Sequence, residues 1–274
     1  MSRKKKLIVY GIMAVAVLAL IAVAVFAVVK FNSMRGTCGE DVTWVYDGNG
    51  TLTISGRGAM KDYRYDDTPP YYRYSSEITN VVIEDGVTHI GSMAFKDFTY
   101  LKDVDIPDSV TSIGREAFAA CTSLNSVTIP YSVTHMGYGA FQSCDSLEKV
   151  KILANITKIE TATFEWCSSL RSAILPDSLT SIGEDAFSRC GSLTEVTIPE
   201  NVKVIGKGAF NYCTSLNRIT FLGDAPIIDE TDYGSNWIFY EVTANAYYPP
   251  YNDTWDGYKA GSLGGDINWI AAPN

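Results

Sequence analysis

Apolar positions along this chain recur with a fixed spacing of 23 residues. One phenylalanine and one leucine each return six times at that spacing, without an insertion or deletion. The phenylalanines are Phe95, Phe118, Phe141, Phe164, Phe187 and Phe210, and the leucines are Leu101, Leu124, Leu147, Leu170, Leu193 and Leu216. A period between about 20 and 50 residues is typical of solenoids, whose units bury their apolar faces only against neighbouring units. The pattern predicts a β-rich solenoid of six 23-residue repeats over residues 81–218.

Within each repeat, the hydrophobic pattern changes twice. Leu124, Val127 and Ile129 alternate with polar residues, as expected of a short strand with one buried face. A second extended piece follows, with an outward column of threonines at Thr88, Thr111, Thr134, Thr157 and Thr180. Ala117, Phe118 and Cys121 then follow at one-turn spacing. This last spacing predicts a short helix or 3₁₀ segment on the return path.

The segments on either side of the repeats lack the period. In residues 37–80, strand-like alternation at residues 43–46 and 51–54 surrounds Asp47-Gly48-Asn49-Gly50, which predicts a β-hairpin. Such a hairpin would form an N-terminal cap that covers the open end of the solenoid. Residues 219–274 are rich in glycine and aromatic residues, and we expect them to form a C-terminal cap of short strands and loops.

An uncharged apolar run occupies residues 7–29. As a helix it would be about 35 Å long, enough to cross a hydrocarbon core of about 30 Å. The basic residues of the 1–6 segment predict that this end is cytoplasmic, and that everything after the linker at residues 30–36 is extracellular. A cleavable signal peptide is the alternative, but the run is longer than a usual signal core. We therefore expect a single-pass protein of the cell membrane, held by a transmembrane helix that acts as a signal anchor.

The charge of the chain is unevenly distributed. Six of the 22 basic residues and none of the 31 acidic ones lie within residues 1–36, which leaves 16 basic against 31 acidic residues, a net charge of −15. A body this acidic does not match nucleic acid, whose phosphates require clustered Lys and Arg. Nucleic-acid binding is therefore excluded as a function.

Residues 104–126, VDIPDSVTSIGREAFAACTSLNS, resemble the BspA-type leucine-rich repeat family, whose phrase is close to I-P-x-S-V-T-x-I-G-x-x-A-F-x-x-C-x-S-L. Residues 38–60 resemble the N-terminal cap of that family and residues 247–269 its usual ending. The fourth repeat departs from the phrase at Leu153, Glu160 and Thr163, and the first has Phe98 in place of cysteine. The resemblance implies an α/β leucine-rich repeat fold and a surface protein of Gram-positive bacteria, in a family linked to adhesion to host proteins or other cells.

Cysteine and histidine do not form an evident chemical site. Five cysteines form a column with the 23-residue period, Cys121, Cys144, Cys167, Cys190 and Cys213, and Cys38 stands apart. An extracytoplasmic location permits disulfides, but equivalent side chains in stacked repeats point in parallel, so we expect buried free thiols. His89 and His135 occupy one column two repeats apart, about 10 Å from each other, so neither can orient the other. There is no CxxC metal signature and no phosphate loop. We expect no metal, no other cofactor and no enzymatic activity.

The candidate binding residues lie on the outward face of the strands. They are Asp103, Asp105, Lys149, Lys151, Glu195 and Arg218. Lys149 and Lys151 form a basic island on an acidic body, and we hypothesise that they meet an acidic patch of a protein or glycan. The alternative is a solvated face without a partner.

A second candidate is an aromatic cluster around Pro69-Pro70. It contains Tyr63, Tyr65, Tyr71, Tyr72 and Tyr74. Tyrosine rings can stack on sugar rings or hold a partner protein, but they can equally pack the cap against the first repeat.

Together these features predict a membrane-anchored extracellular repeat protein that binds a protein or glycan on a host or neighbouring cell. The alternative is a structural or sensory component of a cell-envelope complex.

Overall fold

The structure, a computed structural model, describes residues 34–228, 237–258 and 263–273. The predicted solenoid is confirmed: each 23-residue unit forms one coil, and the coils stack in register. The predicted transmembrane segment, residues 7–29, lies outside the described residues. Among the residues described, none of the helices has the length and hydrophobicity that crossing a membrane requires.

One strand from each coil contributes to a row of parallel strands along one side of the solenoid. The row is β3 (Thr51–Gly56), β5 (Asn80–Ile83), β7 (Asp103–Asp105), β9 (Ser126–Ile129), β11 (Lys149–Ile152), β13 (Ser172–Ile174), β15 (Glu195–Ile198), β17 (Arg218–Phe221), β19 (Thr243–Tyr248) and β20 (Asp266–Ala271). Residues equivalent in the repeat are direct neighbours, as Lys149 is of Ser126 and Lys151 is of Thr128. The alternating burial of these strands matches the predicted pattern of inward apolar and outward polar residues.

This row is hydrogen-bonded in three sections, because β7 does not pair with β9 and β13 does not pair with β15. Single backbone bonds still hold the coils together at both places. The Asn125 N–H donates to the Lys102 carbonyl at 3.3 Å, and the Thr194 N–H donates to the Arg171 carbonyl at 3.4 Å. The coils therefore stay stacked across the two interruptions.

A second row of short strands follows on the next side of the coils. It consists of β4 (Gly58–Ala59), β6 (Val87–Ile90), β8 (Ser112–Ile113), β10 (His135–Met136), β12 (Lys158–Ile159), β14 (Ser181–Ile182), β16 (Val204–Ile205) and β18 (Ile227–Ile228). The expected threonine column is exposed beside this row. Its hydroxyls bond the backbone of the preceding coil: Thr111 Oγ1 donates to the Thr88 carbonyl at 3.0 Å, and Thr134 Oγ1 to the Thr111 carbonyl at 3.2 Å.

The return path of the coil differs from the prediction. Residues 115–120 form consecutive turns, not the predicted helix or 3₁₀ segment. The reason is that the backbone amides of this path bond to the next coil: the Phe95 N–H donates to the Ala117 carbonyl at 2.8 Å. Residues with left-handed backbone, such as Met93 and Asp97 with φ of 54° and 64°, turn every second amide of this path towards the next coil.

The core is built around the phenylalanine column. Successive rings from Phe95 to Phe210 stack with centroids 5.1 to 5.7 Å apart. Tyr71 extends the stack in the N-terminal cap and Phe239 extends it in the C-terminal part, both at 5.8 Å. The caps therefore continue the aromatic stack of the repeats.

The cysteine column lies beside the phenylalanines. All six cysteines, which are among the described residues, are buried and unpaired, as expected. Each thiol of the column donates to the phenylalanine carbonyl of the preceding coil, for example Cys144 Sγ to the Phe118 carbonyl at 3.3 Å. Burial raises the pKa of Cys38 and of Cys213 to about 12. These thiols are therefore neutral at physiological pH.

The predicted N-terminal hairpin is present. It is formed by β2 (Val42–Tyr46) and β3, and a further strand, β1 (Arg35–Thr37), pairs antiparallel with β2. Because β3 also pairs parallel with β5, the hairpin forms the first layer of the solenoid. A short 3₁₀ helix, Tyr72–Tyr74, connects it to the repeats.

The C-terminal part is a cap of strands and a short helix, Thr254–Tyr258. Trp255 is fully buried there, and its indole N–H donates to the Gly223 carbonyl at 3.2 Å. Phe221 and Trp269 contact its ring at 4.8 and 5.7 Å between centroids. This aromatic cluster closes the end of the core.

Candidate functional site

The outward side of the first row of strands, which we call the strand face, contains all of the charged residues proposed as a binding site. Each of them is exposed: Asp103, Asp105, Lys149, Lys151, Glu195 and Arg218. Their positions follow from the strand alternation, since i and i+2 residues project to the same side. The structure therefore places all six on a single surface, while their role in binding remains a prediction.

Three further charged residues flank the strand face and were not singled out in the sequence: Lys102, Glu148 and Arg171, which is exposed before β13. Lys102 precedes β7 and Glu148 precedes β11, and both are exposed. They occupy equivalent positions of their repeats, two coils apart. The sequence does show that Lys102 and Glu148 immediately precede charged strands. The relation between the two residues becomes evident only when the structure shows that a single coil, that of β9, lies between them.

A shallow depression of about 330 Å³ lies where the strand row is interrupted between β13 and β15. Ala173 lines it at a position where other coils have larger inward residues such as Val150 and Val196, and this alanine is only half-buried. Ile174 and Leu222 at its edges are 63% and 50% exposed. The depression is thus a more apolar region of the strand face than the neighbouring charged coils.

Arg218 borders the same depression and is held in place by a ring contact. Its guanidinium lies 4.5 Å from the centroid of the Tyr247 ring on the neighbouring strand. Such cation–π contacts restrict the arginine while leaving its N–H groups available. Glu195, on the strand before it, is also exposed at this border.

The tyrosine cluster does not form one aromatic surface. Tyr63 and Tyr71 are 3% and 0% exposed, so burial removes both from the candidate ligand-binding residues. They fill the space between the cap and the first coil, where Tyr71 stacks on Phe95. Tyr72 and Tyr74 are half-buried against the same core, and only Tyr65, at 72%, is well exposed.

The Tyr65 hydroxyl is part of a charged network that ties the cap to the repeats. It donates to the Glu116 carboxylate at 2.9 Å, and Lys96 and Arg115 contact the same carboxylate. Burial alone would raise the pKa of Glu116, but the hydrogen bonds from Lys96, Arg115 and Tyr65 outweigh it and lower that pKa below its usual value. The network therefore needs an ionised Glu116, and Tyr65 is engaged in holding the cap.

The structure brings His89 between two polar partners that the sequence did not link. Its Nδ1 lies 2.7 Å from Ser112 Oγ and its Nε2 lies 3.2 Å from Asp62 Oδ1. This is the Ser–His–Asp order of a hydrolytic triad, but two amides beside it, which could otherwise stabilise an oxyanion, are already engaged. The Ser92 N–H donates to Asp62 at 2.7 Å, and the Gly114 N–H donates to the Ile90 carbonyl at 2.8 Å. The contacts of His89 thus connect the cap with two coils.

His135 lies on the other side of Ser112, whose strand pairs with both histidine strands. The two histidines are therefore separated by one coil, as the sequence predicts. Within the part of the chain that the structure describes, no group of three or more His, Cys, Asp or Glu side chains could hold a metal ion.

Comparison with known proteins identifies the class of this chain. The family model of the BspA type leucine rich repeat region matches residues 69–164 and 139–234, with six copies. These matches span more than half of the chain. The chain therefore belongs to the BspA-type leucine-rich repeat family. A search of curated proteins found no match.

Solved structures of bacterial repeat proteins are similar to this chain to different degrees. A leucine rich cell surface protein from Faecalibacterium prausnitzii A2-165 is 28% identical over 79% of this chain and 70% of its own, with a TM-score of 0.56. A leucine-rich repeat protein from Bacteroides ovatus ATCC 8483 is 22% identical over 85% of this chain and 76% of its own, with a TM-score of 0.43. The leucine rich repeat protein of T. pallidum is 21% identical over 86% of this chain and 99% of its own, with a TM-score of 0.42.

Proposed function

We propose that this chain is a membrane-anchored surface protein whose strand face binds a protein or glycan of a host or neighbouring cell. The observation that carries the proposal is a set of exposed charges without an ion-pair partner among the residues that the structure describes. Asp103, Asp105, Lys149 and Lys151 are all exposed, and none forms an ion pair with another residue that the structure describes.

Such charges are suited to recognition of a macromolecule. They extend from a backbone that is fixed by stacked strands and a buried core, so little backbone freedom is lost when a partner binds. Charges on a binding surface also accelerate association and discriminate against partners of the wrong sign. The continuous strand face of a solenoid offers an extended surface of this kind.

The basic island is the part of the face that we expect to matter most for a heterologous partner. Lys149 and Lys151 stand on a body with a large acidic excess, so an acidic protein or glycan would be attracted to this place and repelled elsewhere. The likeness to a cell surface protein of Faecalibacterium prausnitzii supports an extracellular location.

The membrane part of the proposal rests on the 23 uncharged residues at 7–29 and on the basic residues before them. Together they favour an uncleaved anchor with a cytoplasmic N-terminus and an extracellular repeat domain.

The test is a binding measurement with the full chain in detergent micelles against immobilised extracellular-matrix proteins, mucins and glycans, at low and moderate salt. We expect saturable binding to one class, weakened at least tenfold by Lys149→Glu with Lys151→Glu, because reversal of charges at a binding surface turns attraction into repulsion. The matched control is Lys158→Glu with Lys203→Glu, which changes the net charge equally at exposed lysines away from the strand face.

Equal binding by both double variants would eliminate the basic island as the site. Failure to bind any class, with the chain folded, would favour the alternative of a cell-envelope component that is captured through its membrane segment.

A further inference from the structure

On the strand face, the two coils that flank the coil of β9 carry opposite charges at equivalent positions. That central coil carries only uncharged residues, at Asn125, Ser126 and Thr128. The coil before it carries Lys102, Asp103 and Asp105, and the coil after it carries Glu148, Lys149 and Lys151. Position by position, the two flanking coils have opposite charges: Lys102 with Glu148, Asp103 with Lys149, and Asp105 with Lys151.

This arrangement is self-complementary under one particular rotation. A two-fold axis that lies in the plane of the face and runs along β9 reverses the order of the coils and keeps the direction of the strands. It brings Lys102 opposite the Glu148 position, and Asp103 and Asp105 opposite the lysines of β11. The interface would be isologous, so each complementary pair occurs twice, giving six pairs of opposite charge in total.

The other face-to-face rotation is excluded by the same charges. An axis that runs along the stack, across the strands, preserves the order of the coils. Asp103 would then lie opposite the aspartates of the same coil in the second copy. Lys149 would likewise lie opposite the lysines of β11 in the second copy. Like charges opposite one another in an interface repel and disfavour it strongly. The face therefore selects a single mode of self-association.

The coils further from the axis bring no like charges opposite one another in this arrangement. Two coils from the axis, Val82 on β5 lies opposite Ile174 on β13, which is 63% exposed. Three coils from the axis, Glu195 lies opposite the β3 position of Thr51. The exposed Ile174 thus gains an apolar neighbour, Val82 of the second copy.

All six charged side chains are free to make these contacts. They are exposed, and among the residues described none of them forms an ion pair. The coils that present them are in register: Asp103 pairs with Asn80 on one side, Lys149 pairs with Ser126 on the other, and the Asn125 N–H bonds to the Lys102 carbonyl between them.

From this charge complementarity we propose that a partner of the strand face is a second copy of this chain, bound face to face about a two-fold axis along β9. The proposal rests on the proposed function, since it takes the strand face as the binding surface and names one occupant. It makes the protein capable of homophilic contact.

The expected complex is weak. Seven strands, β3 to β15, spaced by about 4.8 Å and each about 13 Å long, offer on the order of 400 Å² per copy, which is below the roughly 800 Å² of a standard interface. Sheet twist separates the outer coils further, so the contact concentrates on the flanking coils with their charge pairs. We expect a dissociation constant in the micromolar range or weaker, which a membrane-anchored protein can use because many copies share one surface.

The test is a charge exchange followed by sedimentation velocity of the full chain in detergent micelles. One variant has Asp103→Lys and Asp105→Lys, and the other has Lys149→Asp and Lys151→Asp. Either variant alone presents like charges across the axis, and we expect at least tenfold weaker self-association than for the wild type. In an equal mixture, lysines again face aspartates, and we expect association to return to within about threefold of the wild-type value.

Restoration in the mixture cannot arise from misfolding, because both partners are variants. It also separates the strand face from association through the membrane segment, which the substitutions leave unchanged. Self-association that both variants retain, or a mixture that does not recover, would overturn the proposal. A wild-type chain that stays monomeric at high protein concentration but binds a panel molecule through Lys149 and Lys151 would overturn it too, while the proposed function would stand.

Discussion

The rings of Phe118 and Phe141 lie 5.2 Å apart between centroids and within 5° of parallel, although 23 residues separate them in the chain. The same contact recurs between neighbouring coils from Phe95 to Phe210. Each interior coil therefore depends on both of its neighbours for the burial of its phenylalanine ring. The free energy of unfolding of such an array is therefore the sum of contributions from the single coils and from the interfaces between neighbouring coils.

Replacement of Phe141 by alanine should destabilise the protein strongly. The ring is fully buried and stacked on both sides, so its removal leaves a cavity that the strands on either side cannot close. We expect a loss of about 3 to 5 kcal/mol in the free energy of unfolding, measured by urea denaturation. Tyr131→Ala, at a residue 65% exposed on the same coil, is the control and should change it by less than about 0.5 kcal/mol. An unchanged midpoint for Phe141→Ala would show that the column is not the core.

The thiols should be inert in the folded protein. Burial raises the pKa of Cys38 and Cys213 to about 12, so the reactive thiolate is scarce and shielded from reagents. With a colorimetric disulfide reagent at pH 8, we expect no rapid reaction in native buffer and reaction of all six thiols after denaturation. Rapid modification of a thiol in the folded protein would contradict the burial of the column.

Stability should fall at alkaline pH for the same reason. The pKa of these thiols is higher in the folded state than the ordinary value of 9.0, so the stabilising difference is complete below pH 9. As pH rises from 9 towards 12, the unfolded chain releases protons that the folded chain retains. Urea titrations at pH 8 and pH 10.5 should therefore show a lower free energy of unfolding at the higher pH, and a Cys213→Ala variant should show a smaller decrease.

The Glu116 network should contribute at neutral pH and lose its contribution in acid. Its partners lower the pKa of Glu116 in the folded protein, so the contribution is present above the ordinary value of 4.5 and is lost as pH falls through the lower folded pKa. We expect Glu116→Gln to reduce the free energy of unfolding by about 1 to 3 kcal/mol at pH 7. Glu160→Gln, which removes a carboxylate paired with the exposed Lys158, is the control with a smaller effect.

That difference between the wild type and Glu116→Gln should decrease when urea titrations are repeated at pH 4 and below. A constant difference from pH 7 to pH 3 would show that the carboxylate charge contributes nothing to holding the cap.

The apolar N-terminal segment should retain the chain in the membrane. We expect the full chain to remain in the membrane fraction after carbonate extraction, and protease added to intact cells to cleave it beyond residue 36, because residues 7–29 can span the bilayer. A chain without residues 1–36 is the control and should be released. Release of the full-length chain by carbonate would contradict an anchor.

The repeat architecture was predictable because a strict period leaves no freedom in how coils stack. Phe118 and Cys121 are buried as the spacing requires. The path between them was not predictable, because one-turn spacing of inward residues arises equally from a helix and from successive turns whose amides bond to the next coil. Tertiary hydrogen bonding, as at Phe95, decides between them.

The candidate site was predictable only in part. Strand alternation correctly brought the charges of β7 and β11 to one surface. The burial of Tyr63 and Tyr71 was not evident, because it depends on how the cap folds onto the first coil. The link from Ser112 to His89 likewise appears only when the coils are placed side by side, since these residues belong to different repeats.

The most direct test of the account is the reactivity of individual lysines in the complex. The full chain in micelles would be labelled with an acetylating reagent, with and without the panel molecule that binds it, and each lysine would be quantified by mass spectrometry. We predict that binding protects Lys149 and Lys151 several-fold and leaves Lys61, Lys158 and Lys203, which lie elsewhere on the surface, unchanged. Protection confined to those three lysines, with Lys149 and Lys151 still reactive, would show that the strand face is not the binding surface.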